Sequence, residues 1–223
     1  LIYKDKKLVN WDTQLQTAIS DLEVVQKEVQ SQLYYIDYQL ENSDTKITIA
    51  TTRPETMMGD TAIAVNPKDD RYLNLIGKNV KIPVVNRTIK IIADRYADPK
   101  QGSGAVKITP AHDFNDYEVG KRNKLQIINI FEKDGKINKN GVKEYVGLDR
   151  FEARKLLIKQ LKDDGKLVKI ETIKNKVPYG DRSSTIIEPL LTEQWFVDAK
   201  KLSKKPMKIV KDGKTSFFPQ NWT

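Results

Sequence analysis

Short runs of alternating or continuous apolar residues dominate the chain, and this pattern predicts β-strands more often than helices. Polar turn signals such as Asn42-Ser43-Asp44 and Asp134-Gly135 separate the runs. The predicted strands are 24–29, 33–40, 46–52, 61–65, 80–85, 88–92, 105–109 and 127–131. So many strands, without a regular alternation with helices, predict a mixed α and β fold that is β-rich and barrel-like, with a few flanking helices and β-ribbon extensions.

Two segments have the features of helices that would flank such a barrel. Residues 113–121 follow Pro110 and begin with carboxylates, which suit a helix N-terminus. Residues 148–163 precede Gly165, which is a typical helix stop. The residues expected on the apolar side of the second helix are Phe151, Leu156, Ile158 and Leu161.

The ends of the chain differ in character from its middle. The chain begins with Leu1 rather than methionine and stops abruptly after Thr223, so we expect a piece of a longer protein. We predict an N-terminal connecting segment at 1–31, a core at 32–178 and a C-terminal connecting segment at 179–223. Asp212-Gly213 predicts a hairpin in the last segment.

Composition narrows the class of partner. The 39 Lys and Arg residues exceed the 30 Asp and Glu residues by nine among 223 residues, which favours a polyanionic partner. RNA, DNA and an anionic membrane surface all fit, and so does a merely solvated basic surface. The absence of cysteine excludes disulfides and thiolate metal sites, and one histidine is too few for an ordinary zinc site. With no apolar span and no signal peptide, we expect a cytoplasmic protein.

Three polar clusters follow or precede predicted strands. In Thr51-Thr52-Arg53-Pro54-Glu55-Thr56, the proline ends the strand, leaving either a simple polar turn or a functional one. Gly102-Ser103-Gly104 precedes a strand on which Lys107 and Thr109 share a face, either solvent or pocket. Polarity gathered at strand ends is how a binding pocket is built.

The third cluster is His112-Asp113-Phe114-Asn115-Asp116. Asp113 and Asp116 are three positions apart at the first turn of a predicted helix, so they lie on one side of it. They either complement the helix dipole or bind a cation such as an ammonium group while accepting a hydroxyl hydrogen bond. His112 is a possible general base.

These clusters stand in two long stretches that resemble the editing region of class I aminoacyl-tRNA synthetases for valine, leucine and isoleucine. The stretches are 50–62, which contains Thr-Thr-Arg-Pro-Glu-Thr, and 102–122, which contains Lys-Ile-Thr-Pro-Ala-His-Asp. Lys107 and Thr109 make the second stretch similar to the valyl enzymes. Segments 8–12 and 187–197 resemble the borders of the valyl editing insertion. The synthetic domain of such enzymes carries signatures of the types His-Ile-Gly-His and Lys-Met-Ser-Lys-Ser, and neither occurs here. We therefore do not expect this piece to activate or attach valine.

The resemblance implies post-transfer editing of threonine attached to tRNA(Val), by an aminoacyl-tRNA deacylase that needs no cofactor or metal. It implies that Asp113 anchors the α-ammonium and that Asp116, with Lys107, recognises the threonine hydroxyl. It further implies that Thr109 fixes Lys107 or the water. The residues implied to hold the terminal adenosine and position the ester or water are Thr51, Thr52, Arg53 and Thr56.

The implied partners are the 3′ end of tRNA(Val) carrying threonine and the rest of a parent synthetase, with no membrane. We expect a monomer. Two alternatives stay open: a non-catalytic tRNA-binding module, and the editing domain of a leucyl- or isoleucyl-type enzyme.

Overall fold

The computed structural model describes residues 1–222, which form two compact units. The larger unit is 8–191, and the smaller consists of 1–7 and the segment from Thr192 onward. Whether 1–31 and 179–223 act as connecting segments stays a prediction. Within residues 1–222, no helix has the length and apolar character needed to cross a membrane.

Strands outnumber helices, as predicted. The strands are β1 (Ile2–Asp12), β2 (Thr17–Ile19), β3 (Val24–Leu40), β4 (Lys46–Thr51), β5 (Ala62–Val65), β6 (Asn79–Lys81), β7 (Thr88–Ala93), β8 (Ala105–Ile108), β9 (Leu167–Gly180) and β10 (Glu188–Val197). The helices are α1 (Phe114–Arg122), α2 (Arg150–Asp163), α3 (Ala199–Leu202) and α4 (Lys204–Lys211). A 3-10 helix at Pro54–Gly59 follows β4.

A seven-stranded sheet forms the centre of the larger unit. Six of its strands run in the order β4-β3-β6-β7-β5-β8, and β9 pairs with β3. Only β5 and β7 are parallel among these pairs. The end strands β4 and β8 lie against each other, so the sheet curls round on itself. The expected mixed α and β fold with a barrel-like sheet is confirmed.

One long strand replaces two predicted ones. β3 covers both 24–29 and 33–40, and it pairs with β9 from Val24, opposite Gly180, to Ile36, opposite Leu167. This two-stranded ribbon is the expected β-ribbon extension, although β9 itself was not predicted.

The sheet is covered by a helix on each face. In β5, Ile63 and Val65 point into the main core while Ala62 and Ala64 pack in a second cluster with Val119 of α1. This alternation follows from the two-residue period of a strand. The buried side of α2 consists of Ala153, Leu157 and Leu161, together with Arg150. The predicted apolar side was therefore wrong at Leu156, which is 49% exposed.

Two further predictions were wrong for identifiable reasons. Residues 127–130 are irregular and Phe131 forms only an isolated bridge with Ile137. Side chains take part of the main-chain hydrogen bonding that a strand would need, because Ile130 N donates to His112 and Phe131 O accepts from Asn138. Asp212-Gly213 ends α4 instead of forming a hairpin. Gly213 has φ +69° and its N–H donates to the carbonyl of Val210, which is a helix stop.

Candidate functional site

The first two polar clusters meet where β4 ends and the turn before β8 begins. Gly102 has φ +55°, a conformation that favours glycine. A Cβ atom at Gly102 would lie 2.7 Å from the Cβ atom of Ala50, so glycine also allows close approach to β4. Glycine at this position therefore allows both the tight turn and the close approach of its backbone to β4.

The threonines of the first cluster fix the turn that follows β4. Thr51 Oγ1 accepts from the main-chain N–H of Arg53 at 3.1 Å, and Thr56 Oγ1 donates to the Arg53 carbonyl at 2.9 Å. These contacts match the alternative of a hydrogen-bonded polar turn. Thr52 differs, because within residues 1–222 its hydroxyl has no hydrogen-bond partner.

Arg53 is the centre of a buried ion network that reaches to the start of β10. Its Nη2 donates to both carboxylate oxygens of Glu188 at 2.6 Å, and its Nη1 donates to the carbonyl of His112 at 2.9 Å. Burial alone would raise the pKa of Glu188, but Arg53, followed by His112 and Arg150, lowers it to about 2. Glu188 therefore stays ionised, and no sequence pattern assigned it a role.

A second carboxylate of the network is Glu55, which is fully buried. It accepts two hydrogen bonds from Arg154 of α2, each 2.7 Å long. Its Oε1 also lies 3.4 Å from Arg53 Nε. Burial lowers the pKa of Arg53, yet Glu188 and Glu55 more than offset this and the pKa is raised overall.

His112 is buried inside the same network as a neutral ring. Its Nε2 accepts from the main-chain N–H of Ile130 at 3.0 Å, and its Nδ1 lies 3.5 Å from Glu188. Burial lowers the pKa of His112, while Glu188 acts in the opposite direction. The acceptor role of Nε2 assigns the proton to Nδ1. The lone pair of Nε2 therefore already accepts a hydrogen bond from the protein.

The side chain of Lys107 is buried and does not face solvent. It is 6% exposed, and its Nζ donates to Asp60 Oδ1 at 2.9 Å and to the Thr109 hydroxyl. The Thr109 hydroxyl in turn donates to Asp60 Oδ1 at 2.6 Å. Tyr38 donates to the other Asp60 oxygen at 2.7 Å. The solvent-face alternative for Lys107 is therefore wrong.

Asp60 is a residue whose importance sequence reasoning missed, although it stands inside the first resembling stretch. A buried lysine needs a nearby carboxylate, since an isolated charge in the interior is very costly. The only sequence signal was therefore conditional: once Lys107 is known to be buried, a buried acidic partner must be sought.

Asp113 and Asp116 have a different status from the other carboxylates. Asp113 caps α1 through Oδ1, which accepts from the N–H groups of Asn115 and Asp116 at 2.8 and 3.0 Å. Asp116 Oδ2 accepts from the N–H of Thr109 at 2.8 Å. Within residues 1–222, the second oxygen of each carboxylate has no hydrogen-bond partner. Burial first, and then the charge of Asp113, raise the pKa of Asp116 to about 7.

A cavity of about 1150 Å³ in the larger unit lies between the ribbon of β3 and β9 and the ion network. Thr52, Arg53 and Asp113 line it together with Arg150 and Arg154. The other predicted site residues lie outside its lining, namely Thr51, Thr56, Lys107, Thr109 and Asp116. Asp113 therefore lines the cavity and also accepts from the N–H of Asp116, whose side chain contacts Thr109 of the buried cluster. Among residues 1–222, no group of three or more His, Asp or Glu side chains could hold a metal ion.

Comparisons with known proteins agree with this architecture. The family model of class I tRNA synthetases (I, L, M and V) matches residues 1–223, so the chain belongs to that family. It is 70% identical over 223 residues to a valine–tRNA ligase of Pelagibacter ubique, covering all of this chain and 26% of the ligase. It is 51% identical over 223 residues to the valine–tRNA ligase of Thermotoga maritima, again covering all of the chain and 26% of the ligase.

The chain thus spans about a quarter of the length of the curated relatives it matches. Among solved structures, LeuRS of Agrobacterium radiobacter K84, determined as a ternary complex with tRNA and LeuAMS, aligns with a TM-score of 0.50. The alignment covers 79% of this chain and 30% of LeuRS at 19% identity, and at that identity it supports the fold alone.

Proposed function

We propose that this chain is an editing domain that hydrolyses the ester bond of threonyl-tRNA(Val). The observation that carries the proposal is the pair of unpartnered carboxylate oxygens on Asp113 and Asp116 at the first turn of α1. Asp113, at the cavity wall, binds the α-ammonium of the aminoacyl group. Asp116, deeper and beside Thr109, accepts a hydrogen bond from the threonine hydroxyl.

Selectivity follows from the polarity of the inner cluster. A synthetic site that accepts valine discriminates poorly against threonine, and about a hundredfold is a known figure for valyl synthetases. A second site can reverse the preference if it must hydrogen-bond the hydroxyl. Valine would then leave buried polar groups unpaired, at a cost of about 1–3 kcal/mol each. Lys107, held by Asp60 and Thr109, supplies the second polar contact for that hydroxyl.

The reaction itself needs no covalent nucleophile. Water adds to the ester carbonyl carbon, the bond to the ribose oxygen breaks, and free threonine and tRNA leave. An ester is already activated, so positioning and charge stabilisation are sufficient. In this proposal Thr52 offers its free hydroxyl to the terminal adenosine or the water, while Thr51, Arg53 and Thr56 hold the turn that presents it.

The partners follow from the same proposal. The 3′ end of tRNA(Val) carries the substrate, and a net charge of +9 favours a polyanion of this kind. The relatives are about four times as long as this chain, which supports the rest of a valine–tRNA ligase as the second partner.

The decisive measurement is release of threonine from Thr-tRNA(Val) by the isolated chain, with Val-tRNA(Val) as the control. We expect cleavage of the threonyl ester and little cleavage of the valyl ester. Binding of tRNA without cleavage of either ester would instead indicate a recognition module. Preferential cleavage of esters on tRNA(Ile) or tRNA(Leu) would indicate a different editing specificity.

A further inference from the structure

Glu188 combines complete burial with three cationic or donor neighbours that come from distant parts of the chain. It is 1% exposed and 135 positions from Arg53 in sequence. Both of its oxygens lie 2.6 Å from Arg53 Nη2, while His112 Nδ1 and Arg150 Nη1 lie at 3.5 and 3.7 Å. A buried carboxylate with this many contacts determines the orientation of the groups around it.

A series of contacts connects Glu188 to residues 102–122, the second of the two stretches that resemble an editing region. Arg53 uses Nη2 for Glu188 and Nη1 for the carbonyl of His112 at 2.9 Å. The guanidinium group is planar, so fixing one edge on Glu188 fixes the direction of the other. The His112 carbonyl belongs to the peptide unit that immediately precedes Asp113. Displacement of Arg53 would therefore move the residue proposed to bind the ammonium.

We propose that Glu188 is a positioning residue that holds Arg53 and, through it, the His112-Asp113 peptide in the orientation required for deacylation. This inference rests on the proposed editing function and adds a residue from outside both resembling stretches that carry the site. Glu188 does not contact substrate in this scheme. Its effect on hydrolysis passes through the Arg53 guanidinium.

The test uses His112 as a probe, because it is the only histidine in the chain. Its ring nitrogens give NMR signals that need no assignment and do not depend on catalysis. In the wild-type chain we expect a neutral ring with the proton on Nδ1. Glu188→Ala should change the Nδ1 and Nε2 shifts, and Glu188→Gln, which keeps one oxygen acceptor, should change them less.

A matched control is Asp94→Asn. Asp94 is also a buried carboxylate with two hydrogen bonds from one arginine, Arg122, at 2.8 and 2.6 Å. Its contacts reach Arg122 and Asn123 at the far end of α1 from Asp113. We expect this variant to lose stability while its His112 signals keep the wild-type positions.

Kinetics then separate positioning from general stability. We expect Glu188→Ala to lower kcat for threonyl-tRNA hydrolysis at least tenfold with a smaller change in KM, and Glu188→Gln to recover part of the loss. Arg53→Lys should reproduce the loss, and the double variant should lose little more than either single variant. Fully additive losses, or activity of Glu188→Ala within twofold of wild type, would overturn the proposal.

The two proposals fail in distinguishable ways. If the wild-type chain cleaves no threonyl ester, the editing function fails, whereas the His112 signals still report the Glu188 contact. Unchanged His112 signals in Glu188→Ala would refute the positioning role whatever the wild-type activity. An equally large change of the His112 signals in Asp94→Asn would also refute the positioning role.

Discussion

Two groups of charged side chains lie side by side at the strand ends, and they differ in how completely their charges are matched. In the ion network, Glu188 is held by Arg53 and Glu55 by Arg154, with distances of 2.6–2.7 Å. In the acidic pair, Asp113 and Asp116 accept only main-chain hydrogen bonds, through one oxygen each.

The pKa values report the same difference. Despite burial, the pKa of Glu188 is lowered to about 2, because the protein supplies the compensating cations. The pKa of Asp116 is raised to about 7, by burial and by the nearby charge of Asp113. A carboxylate that the fold leaves uncompensated is a candidate for binding a cation from outside, whereas a compensated one maintains the structure.

The largest effect is expected at Asp113, the half-buried and more accessible member of the acidic pair. Asp113→Ala removes the partner of the α-ammonium, a charged contact worth about 2–5 kcal/mol, so threonyl-tRNA hydrolysis should fall below detection. The matched control is Asp149→Ala, which removes the equivalent cap of α2 from the N–H of Phe151. Each variant should lose about 1 kcal/mol of stability, but only Asp113→Ala should lose activity. Full activity of Asp113→Ala would contradict the assignment.

The second prediction concerns the ion network. Arg154→Ala leaves the buried Glu55 without its two short hydrogen bonds, and losing one member of a buried pair costs about 3–5 kcal/mol. The lower end applies here because the Arg154 side chain is 25% exposed. Urea unfolding measures the loss. Lys169→Ala, which removes a surface pair with Glu171, is the control and should cost about 1 kcal/mol or less. Equal losses would show that the network is not structural.

The third prediction concerns pH and Asp116. Its folded pKa of about 7 lies above the ordinary value of 3.8, so between these values the folded state binds more protons than the unfolded state. The contribution of Asp116 to stability should therefore fall as pH rises from about 4 to 7, by at most about 1.4 kcal/mol per pH unit. Asp116→Asn removes this term and should become more stable relative to wild type as pH rises. A constant difference between the two unfolding curves would show that Asp116 is not perturbed.

The fourth prediction tests whether Asp116 has a role different from that of Asp113. Asp116→Ala removes the proposed acceptor of the threonine hydroxyl, a contact worth about 1–3 kcal/mol. A valyl ester no longer leaves that carboxylate unpaired, so the ratio of threonyl to valyl hydrolysis should fall about 5- to 150-fold. Rates on Thr-tRNA(Val) and Val-tRNA(Val) measured in parallel give this ratio. If Asp116→Ala still hydrolyses the valyl ester only negligibly, Asp116 does not recognise the threonine hydroxyl.

The same comparison explains what the sequence could predict. The strand pattern, the N-terminus of α1 at Asp113 and the glycine-rich turn depend on local spacing, so they were predictable. The partners Asp60 and Glu188 were not, because they lie 47 and 135 positions from Lys107 and Arg53. Residues 127–131 carried a strand pattern, but their hydrogen bonds go to His112 and Asn138, which only the tertiary structure reveals.

The smallest effect on hydrolysis is expected for the His112 side chain. His112→Ala leaves the carbonyl that accepts from Arg53 in place, but it removes the acceptor for the buried N–H of Ile130. Stability should fall by about 1–3 kcal/mol, the cost of an unsatisfied buried donor. Because Nε2 is already occupied by that N–H, the ring is not available as a general base. Deacylation should therefore fall less than tenfold at a temperature where the variant is folded. A loss as large as that of Asp113→Ala would place the histidine, rather than the acidic pair alone, at the reacting centre.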